Sequence, residues 1–200
     1  MKNIFAEFVR SIVATIFFAV ILCGLYPLIV YGAAQLLFPH RANGSLLVDS
    51  SGAVRGSALI AQNFTGARYF HPRPSAAGAN GFDATSSGGS NLGPTSSNLV
   101  AAIAQRITDY RAENGLAIPQ SGTPVPADAV TASASGLDPD ISPANAELQI
   151  LRVARARGLS GDRVRELVKQ NTHGRDLGVS GEPRVNVMTL NFALDQLPRK

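Results

Sequence analysis

Residue types able to do chemistry are sparse in this 200-residue chain, and their spacing is uninviting. His40, His71 and His173 are too scattered for a local metal motif. The one cysteine, Cys23, has no partner for a zinc site or a disulfide framework. No Gly-x-x-x-x-Gly-Lys-Ser/Thr run is present to wrap a phosphate in backbone amides. The Gly-x-Ser-x-Gly elbow and the Ser-x-x-Lys pair of acyl-transfer enzymes are missing as well. A Ser–His–Asp triad can assemble through space, so three histidines among many Ser and Asp say almost nothing about it.

Two stretches hold the remaining polar chemistry. Ser86-Ser87-Gly88-Gly89-Ser90-Asn91 could present backbone amides to an anion, although a tight turn cluster is the plainer reading. Arg152, Arg155, Arg157, Arg163, Arg165, Lys169 and Arg175 put seven basic residues into 24, interrupted by Asp162, Glu166 and Asp176. They read as a solvated helical face, with lipid headgroups or an acidic partner as the alternative.

The elements that must position these residues follow from composition and periodicity. Apolar residues make up 45% and charged residues 16%, which excludes a disordered chain. The net charge of +4 is too mild for a nucleic-acid binder, whose basic residues crowd one face. Residues 40–200 carry 16 basic and 13 acidic residues, and a domain of that length buries a real core. Leu46-Leu47-Val48 and Ala58-Leu59-Ile60 read as short strands joined through Ser50-Ser51-Gly52.

Gly, Pro, Ser and Asn fill 16 of the 32 positions from 63 to 94, which reads as a long irregular loop. Phe64, Arg68, Tyr69, Phe70, Arg73 and Phe82 within it argue for an ordered surface loop. A helix is expected from Ser97 to Asn114, with Leu99, Ile103, Ile107 and Tyr110 on one face. A linker follows from Pro119 to Pro126. Ser142-Pro143 caps a second helix that ends before Gly158, and a third runs from Ser160 to Asn171. The tail from Val185 to Leu197 favours a short strand and a terminal helix. The fold class is α+β: one N-terminal transmembrane helix, then a single extracytoplasmic α+β domain.

The N-terminus is the strongest signal. Ser11 to Pro39 is 29 residues without a formal charge, enough to span a bilayer core of about 30 Å. A cleaved signal peptide, with Gly32-Ala33-Ala34 as its small-residue site, is the rival reading. Its apolar core runs only about 7–15 residues, so a retained anchor is favoured. The division is then 1–10 inside, 11–39 transmembrane and 40–200 as the outer domain, the orientation favoured although Lys2 and Arg10 before the span and Arg41 after it encode it only weakly. Pro27 cannot donate to the Cys23 carbonyl, and a kink is expected near Cys23-Gly24. Ser11, Thr15, Ala19 and Cys23 recur every four residues as a stripe of small side chains suited to close helix packing in lipid.

Several blocks carry a resemblance. They are Gly56-Ser57-Ala58-Leu59-Ile60-Ala61-Gln62-Asn63-Phe64, Tyr69-Phe70-His71-Pro72-Arg73-Pro74-Ser75 and Ser87-Gly88-Gly89-Ser90-Asn91-Leu92. Val130 to Asp138, Arg152 to Arg157 and Gly181 to Val187 continue the series. In this order, behind one span, they resemble the C subunit of the Kdp potassium-transporting P-type ATPase of bacteria. Ala61, where Gly is common, and Asp140, where His or Asn often sits, depart from the familiar pattern.

The resemblance implies a non-catalytic accessory subunit of a high-affinity potassium uptake complex, single-pass in the inner membrane with its domain in the periplasm. Its partners would be a channel-like potassium-translocating subunit and the P-type ATPase subunit. The family is described as a catalytic chaperone that raises the ATP affinity of the ATPase subunit. ATP is therefore a family-level expectation, with no firmly bound cofactor and no metal. Tyr69, Phe70, Arg73, Ser90, Asn91 and Leu92 are the expected partner-docking residues, and Ser11, Thr15, Ala19, Cys23 and Pro27 the expected membrane-packing residues. A membrane-anchored periplasmic hydrolase and a stand-alone binding module are the alternatives.

Overall fold

The uncharged N-terminal run folds as one continuous helix. In the computed structural model, which describes residues 2–116 and 122–197, α1 (Lys2–Ala19) passes through a π-helical segment, Val20–Leu25, into α2 (Tyr26–Leu37). The 35 residues from Asn3 to Leu37 are the one helix among the described residues long and apolar enough to cross a membrane. At 1.5 Å per residue it would measure about 52 Å, well beyond a ~30 Å hydrocarbon core. The helix starts ahead of Ser11 and takes in the Glu7–Arg10 ion pair at 2.6 Å. It stops at Leu37, because Phe38 leaves helical geometry and Pro39 opens the short helix α3 (Pro39–Ala42).

The missing N–H of Pro27 is expressed as the π-helical segment. The N–H of Tyr26, just before the proline, reaches back five residues to the Ile21 carbonyl. Ser11 and Thr15 hydroxyls donate to the carbonyls four residues back, at 2.9 and 2.8 Å, so their polar groups are satisfied within their own helix. Each four-residue step of an α-helix advances about 40° around the axis. A π turn holds more residues and sets that advance back, which returns Cys23 toward the line of Ala19.

Chain contacts divide at Leu46/Leu47 into two compact units. The division falls within β1 (Leu46–Val48), which pairs with β2 (Val54–Ser57) as a two-stranded sheet. Asp49 builds their turn, accepting from the N–H groups of Ser51 at 2.8 Å and Ala53 at 3.0 Å and pairing with Arg55. The strand expected at Ala58–Ile60 is a turn instead, and residues 54–57 take its place. The Ala58 carbonyl accepts from the Asn186 amide at 2.8 Å, so it has no ladder bond to make.

Residues 58–96 contain neither helix nor strand. Then come α4 (Ser97–Glu113), α5 (Ala127–Val130), β3 (Asp140–Ile141), α6 (Pro143–Arg157), α7 (Gly161–Gln170), β4 (Thr172–His173), β5 (Arg184–Asn186) and α8 (Val187–Asp195). Part of the expected 119–126 linker, residues 119–121, lies outside the described residues. β5 is the middle strand of an antiparallel three-stranded sheet, with Val185 opposite Ile141 on one side and Thr172 on the other.

The caps that made these helices legible are present. Ser142 Oγ accepts from the Asn145 N–H at 3.1 Å, and Ser160 Oγ from the Arg163 N–H at 3.2 Å. Gly158 ends α6 at φ +66°, a left-handed cap for which glycine is best suited. α6, α7 and α8 bury Ile150, Val153, Val164, Leu167, Leu190 and Leu194 against Ile141 and Val185 of the sheet. Phe70 joins the same core from the irregular loop and is fully buried.

Candidate functional site

The loop from 63 to 94 keeps its shape through side chains that lie far away in sequence. On α8, the Asn191 amide accepts from the Phe70 N–H and donates to the Phe70 carbonyl, both at 2.9 Å. On α6, Gln149 does the same for the next residue, accepting from the His71 N–H at 2.8 Å and donating to its carbonyl at 3.2 Å. Asn191 and Gln149 thus supply to successive residues the bonds that a neighbouring strand would make. Arg152, one turn beyond Gln149, donates to the carbonyls of Ala67 at 2.9 Å and Tyr69 at 2.8 Å, to Gln149 Oε1 at 2.6 Å and to Asn114 Oδ1 at 3.0 Å. Behind it, Asn145 accepts from Gln149 at 2.9 Å and from the Tyr110 hydroxyl at 2.8 Å, and donates to Asp128 at 3.0 Å.

This network changes the reading of the basic run. Arg152 is only 8% exposed, and the Arg157 side chain only 6%, so neither belongs to a solvated face. Arg157 reaches the carbonyls of Arg68 at 2.6 Å and Leu194 at 3.0 Å, pairs with Asp195 at 2.9 Å and stacks 5.0 Å from the centroid of Tyr69. Arg165 fits the expected surface, pairing with Glu147 and Asp162 at 2.8 Å each.

The network has a titratable edge. His71 Nδ1 lies 3.0 Å from Glu113 Oε1, and its Nε2 lies 3.1 Å from the Gly66 carbonyl and 3.5 Å from the Arg152 guanidinium. The His71 hydrogen bond holds the Glu113 carboxyl below its ordinary range. Burial pulls the Arg152 guanidinium down and pushes the Tyr110 hydroxyl well up. His71 and Glu113 have the outline of an acid–base dyad. The free nitrogen, however, faces a carbonyl and a guanidinium, which leaves no position for a nucleophilic hydroxyl. No group of three His, Cys, Asp or Glu among the described residues is placed to hold a metal.

The far half of the loop is held by residues 133–138. The Ser133 N–H donates to the Pro74 carbonyl at 2.9 Å, and Ser75 Oγ donates to the Gly136 carbonyl at 2.6 Å. The Gly88 N–H and Ser87 Oγ donate to the Ser135 carbonyl at 3.0 and 2.9 Å. Gly136 sits at φ +68°, where a Cβ would meet Ala77 and the Gly88 carbonyl at 2.6–2.8 Å. Residues 87–91 of the Ser-Gly run are thus irregular backbone sewn to the 133–136 segment rather than a tight turn cluster, and the Gly88 amide is already engaged.

Of the expected docking residues, Phe70 is a core residue that anchors the loop, and its side chain is not at the surface. Tyr69 is half-buried, its hydroxyl donating to Asp195 at 3.0 Å and its ring 5.2 Å from that of Phe64. Arg73, between its two prolines, pairs with Asp138 at 3.0 Å. Ser90 and Asn91 are exposed, and Asn91 adopts φ +51° with no side-chain hydrogen bond to any described residue. Leu92 is 39% exposed. Arg73 and Gly88 hang on one short segment, 134–138, which relates the two halves of the loop.

A cleft of about 490 Å³ opens beside Tyr69, between Arg55, Phe64, Asn191, Phe192 and Asp195. Arg55 is paired with Asp49 and Asp195 with Arg157, while Arg68, also on the cleft wall, lies 5.9 Å from the centroid of the Tyr69 ring. The clamping residues Asn145, Gln149 and Arg152 escaped sequence reasoning. Their i, i+4, i+7 spacing, beside the apolar Ala146, Ile150 and Val153, was the available signal.

The comparisons agree with one another. Residues 8–196 match the family model described as KdpC: K+-transporting ATPase, c chain. A Potassium-transporting ATPase KdpC subunit of Nitratidesulfovibrio vulgaris is 56% identical over 189 residues, 94% of this chain and 93% of the relative. The KdpC subunit of Gemmatimonas aurantiaca is 59% identical over 173 residues, 86% and 84% of the two chains. That of Myxococcus xanthus is 54% identical over 197 residues, 98% and 89%.

Proposed function

The chain belongs to the KdpC family, the c chains of the K+-transporting ATPase, and on that premise we propose that it is a non-catalytic assembly subunit that docks through its clamped loop. The observation that carries this reading is the double amide clamp at Phe70 and His71. An irregular loop of some thirty residues would lose much conformational entropy on docking, and a loop already held by Asn191, Gln149 and Arg152 has lost it beforehand. Such a surface suits recognition of a fixed partner. Its exposed or half-exposed side chains are Tyr69 and Arg73, held by Asp195 and Asp138, with Ser90, Asn91 and Leu92 beyond them.

The partner proposed for this surface is the channel-like potassium-translocating subunit, with the P-type ATPase subunit in the same complex. The 35-residue apolar helix anchors the chain in the inner membrane, with the N-terminus cytoplasmic and the domain periplasmic. In that orientation the domain lies across the membrane from the nucleotide. ATP therefore enters as the ligand of the ATPase subunit, whose affinity the family is described as raising through contact.

Orientation and assembly are tested together. A cysteine at exposed Ala112, in a Cys23→Ala background, should react with an impermeant maleimide in intact spheroplasts. The labelled chain should co-purify with a large polytopic membrane protein. Labelling only after the inner membrane is broken would refute the orientation, and purification of the chain alone would refute the subunit role.

A further inference from the structure

Between β4 and β5 the chain projects a small hairpin, residues 174–182, whose tip is apolar. Leu177 is 97% exposed and Val179 81%. The tip is firmly built. Asp176 and Ser180 exchange backbone hydrogen bonds at 2.8 and 2.9 Å, and the N–H groups of Gly178 and Val179 donate to the carbonyls of Arg175 and Asp176 at 3.1 and 3.2 Å. At the base, Arg175 Nη2 donates to both oxygens of Glu182 at 2.9 Å, and Arg184 lies 3.7 Å from Asp176.

Leu177 stands at φ +54°. That left-handed conformation is unfavourable for a residue with a Cβ, and glycine would take it without strain. Its side chain gains no burial within the chain. Neither the local backbone nor the core accounts for a leucine at this position, so its role lies in a contact outside the chain.

We infer that Leu177 and Val179 form a preformed apolar plug that inserts into an uncharged recess on another protein subunit of the same complex. Arg175 is paired with Glu182, and Asp176 lies 3.7 Å from Arg184 of β5, so the tip residues Leu177, Gly178 and Val179 carry no charge of their own and fit an apolar, uncharged mouth. A second copy of this chain is a poor occupant, because two side chains cover little of the ~800 Å² per partner that a stable interface needs. Lipid is a poor occupant too. Segments that settle at the bilayer surface carry Trp, Tyr and unpaired Lys or Arg. The hairpin has no aromatic residue, and its Arg175 is bound to Glu182. The contact is small and adds to an assembly held elsewhere. It uses none of the docking residues named above, and it rests on the reading that the chain assembles with other subunits.

The test uses the co-expressed complex in mild detergent. Leu177→Gly removes the side chain and relieves the backbone, so the melting temperature of the separated full-length chain should stay level or rise. The fraction of the chain retained by the complex after washing should nevertheless fall, corresponding to about a tenfold weaker association. Photo-reactive p-benzoylphenylalanine in place of Leu177 should crosslink to a polytopic subunit. Unchanged retention of Leu177→Gly would overturn the inference. So would a crosslink to lipid, a crosslink to a second copy of the chain, or no crosslink. Failure of the unmodified chain to co-purify with any other subunit would overturn the assembly reading itself, which separates the two failures.

Discussion

The side chain of Asn191 bonds to both backbone polar groups of Phe70, 121 residues away, at 2.9 Å each. A terminal helix thereby fixes the conformation of a loop near the start of the domain, and the Phe70 ring sits fully buried below it. Substituting Asn191 strands one buried donor and one buried acceptor at once.

Asn191→Ala should therefore destabilise the domain by about 2 kcal/mol or more, since each stranded buried group costs about 1–3 kcal/mol. Chemical denaturation of the full chain in detergent measures the loss. The amide of Phe70 should also exchange hydrogen faster, whereas an effect confined to α8 would count against the clamp.

Gly136 and Gly158 share a left-handed backbone, at φ +68° and +66°, but differ in surroundings. Gly158→Ala meets open space and should cost only about 1 kcal/mol of backbone strain. Gly136→Ala drives a methyl into Ala77 and the Gly88 carbonyl and should cost about 3 kcal/mol or more. Similar melting temperatures for the two variants would show that the 133–138 turn does not hold the loop.

Asp140 carries a buried Oδ1 with no hydrogen-bond partner among the described residues, while its other oxygen lies 3.2 Å from Arg184. Burial, and then the nearby Asp138, raise its pKa above the ordinary 3.8. A raised carboxyl pKa costs stability once the group ionises. The cost is full above the folded-state pKa and fades as pH falls toward the unfolded value. Asp140→Asn should therefore raise stability near pH 7, modestly because the group is partly screened by solvent. The gain should shrink in melting curves recorded toward pH 4, and a gain that grew on acidification would reverse the assignment.

Arg73→Ala and Arg111→Ala compare two arginines of different role. Arg111 donates to the Thr123 carbonyl at 3.2 Å, while Arg73 is pinned by Pro72, Pro74 and Asp138 on the proposed docking loop. Loss of Arg73 should lower recovery of the assembled complex several-fold, as arginine is enriched among the few interface residues whose truncation costs more than about 1 kcal/mol of binding. Arg111→Ala should leave recovery unchanged. Equal, negligible effects measured by pull-down would remove Arg73 from the interface.

In the N-terminal helix, Ala19→Trp should reduce co-purification in mild detergent while the chain still inserts, because a bulky ring separates closely packed helices. Leu28→Ile should not. A chimera with an inert, unrelated span that assembles normally would assign the binding energy to the domain instead.

Local signals made much of this fold legible. Ser142-Pro143 and Gly158 bracket α6 because capping is decided within a few residues, and the apolar spacing of 187, 190 and 194 announced α8 for the same reason. β3 and β4 are two residues long and carry no period to read. Arg152 looked like part of a solvated face because its partners, the carbonyls of Ala67 and Tyr69, lie 85 and 83 residues away. The burial of Phe70 was hidden likewise, since an irregular loop has no face by which to sort inward from outward residues. The family blocks, by contrast, take in Arg152, the 133–138 segment and much of the loop they hold, although Gln149 and Asn191 lie outside them.

Asn191, Gln149 and Arg152 all grip the loop by backbone atoms, which every residue type except proline presents alike. Loop conformation and loop surface chemistry are thereby decoupled. An exposed side chain such as that of Ser90 can be exchanged without disturbing the bonds that set the shape. Two versions of this subunit in one cell could diverge at such positions and each remain faithful to its own pump, with the scaffold beneath them unaltered.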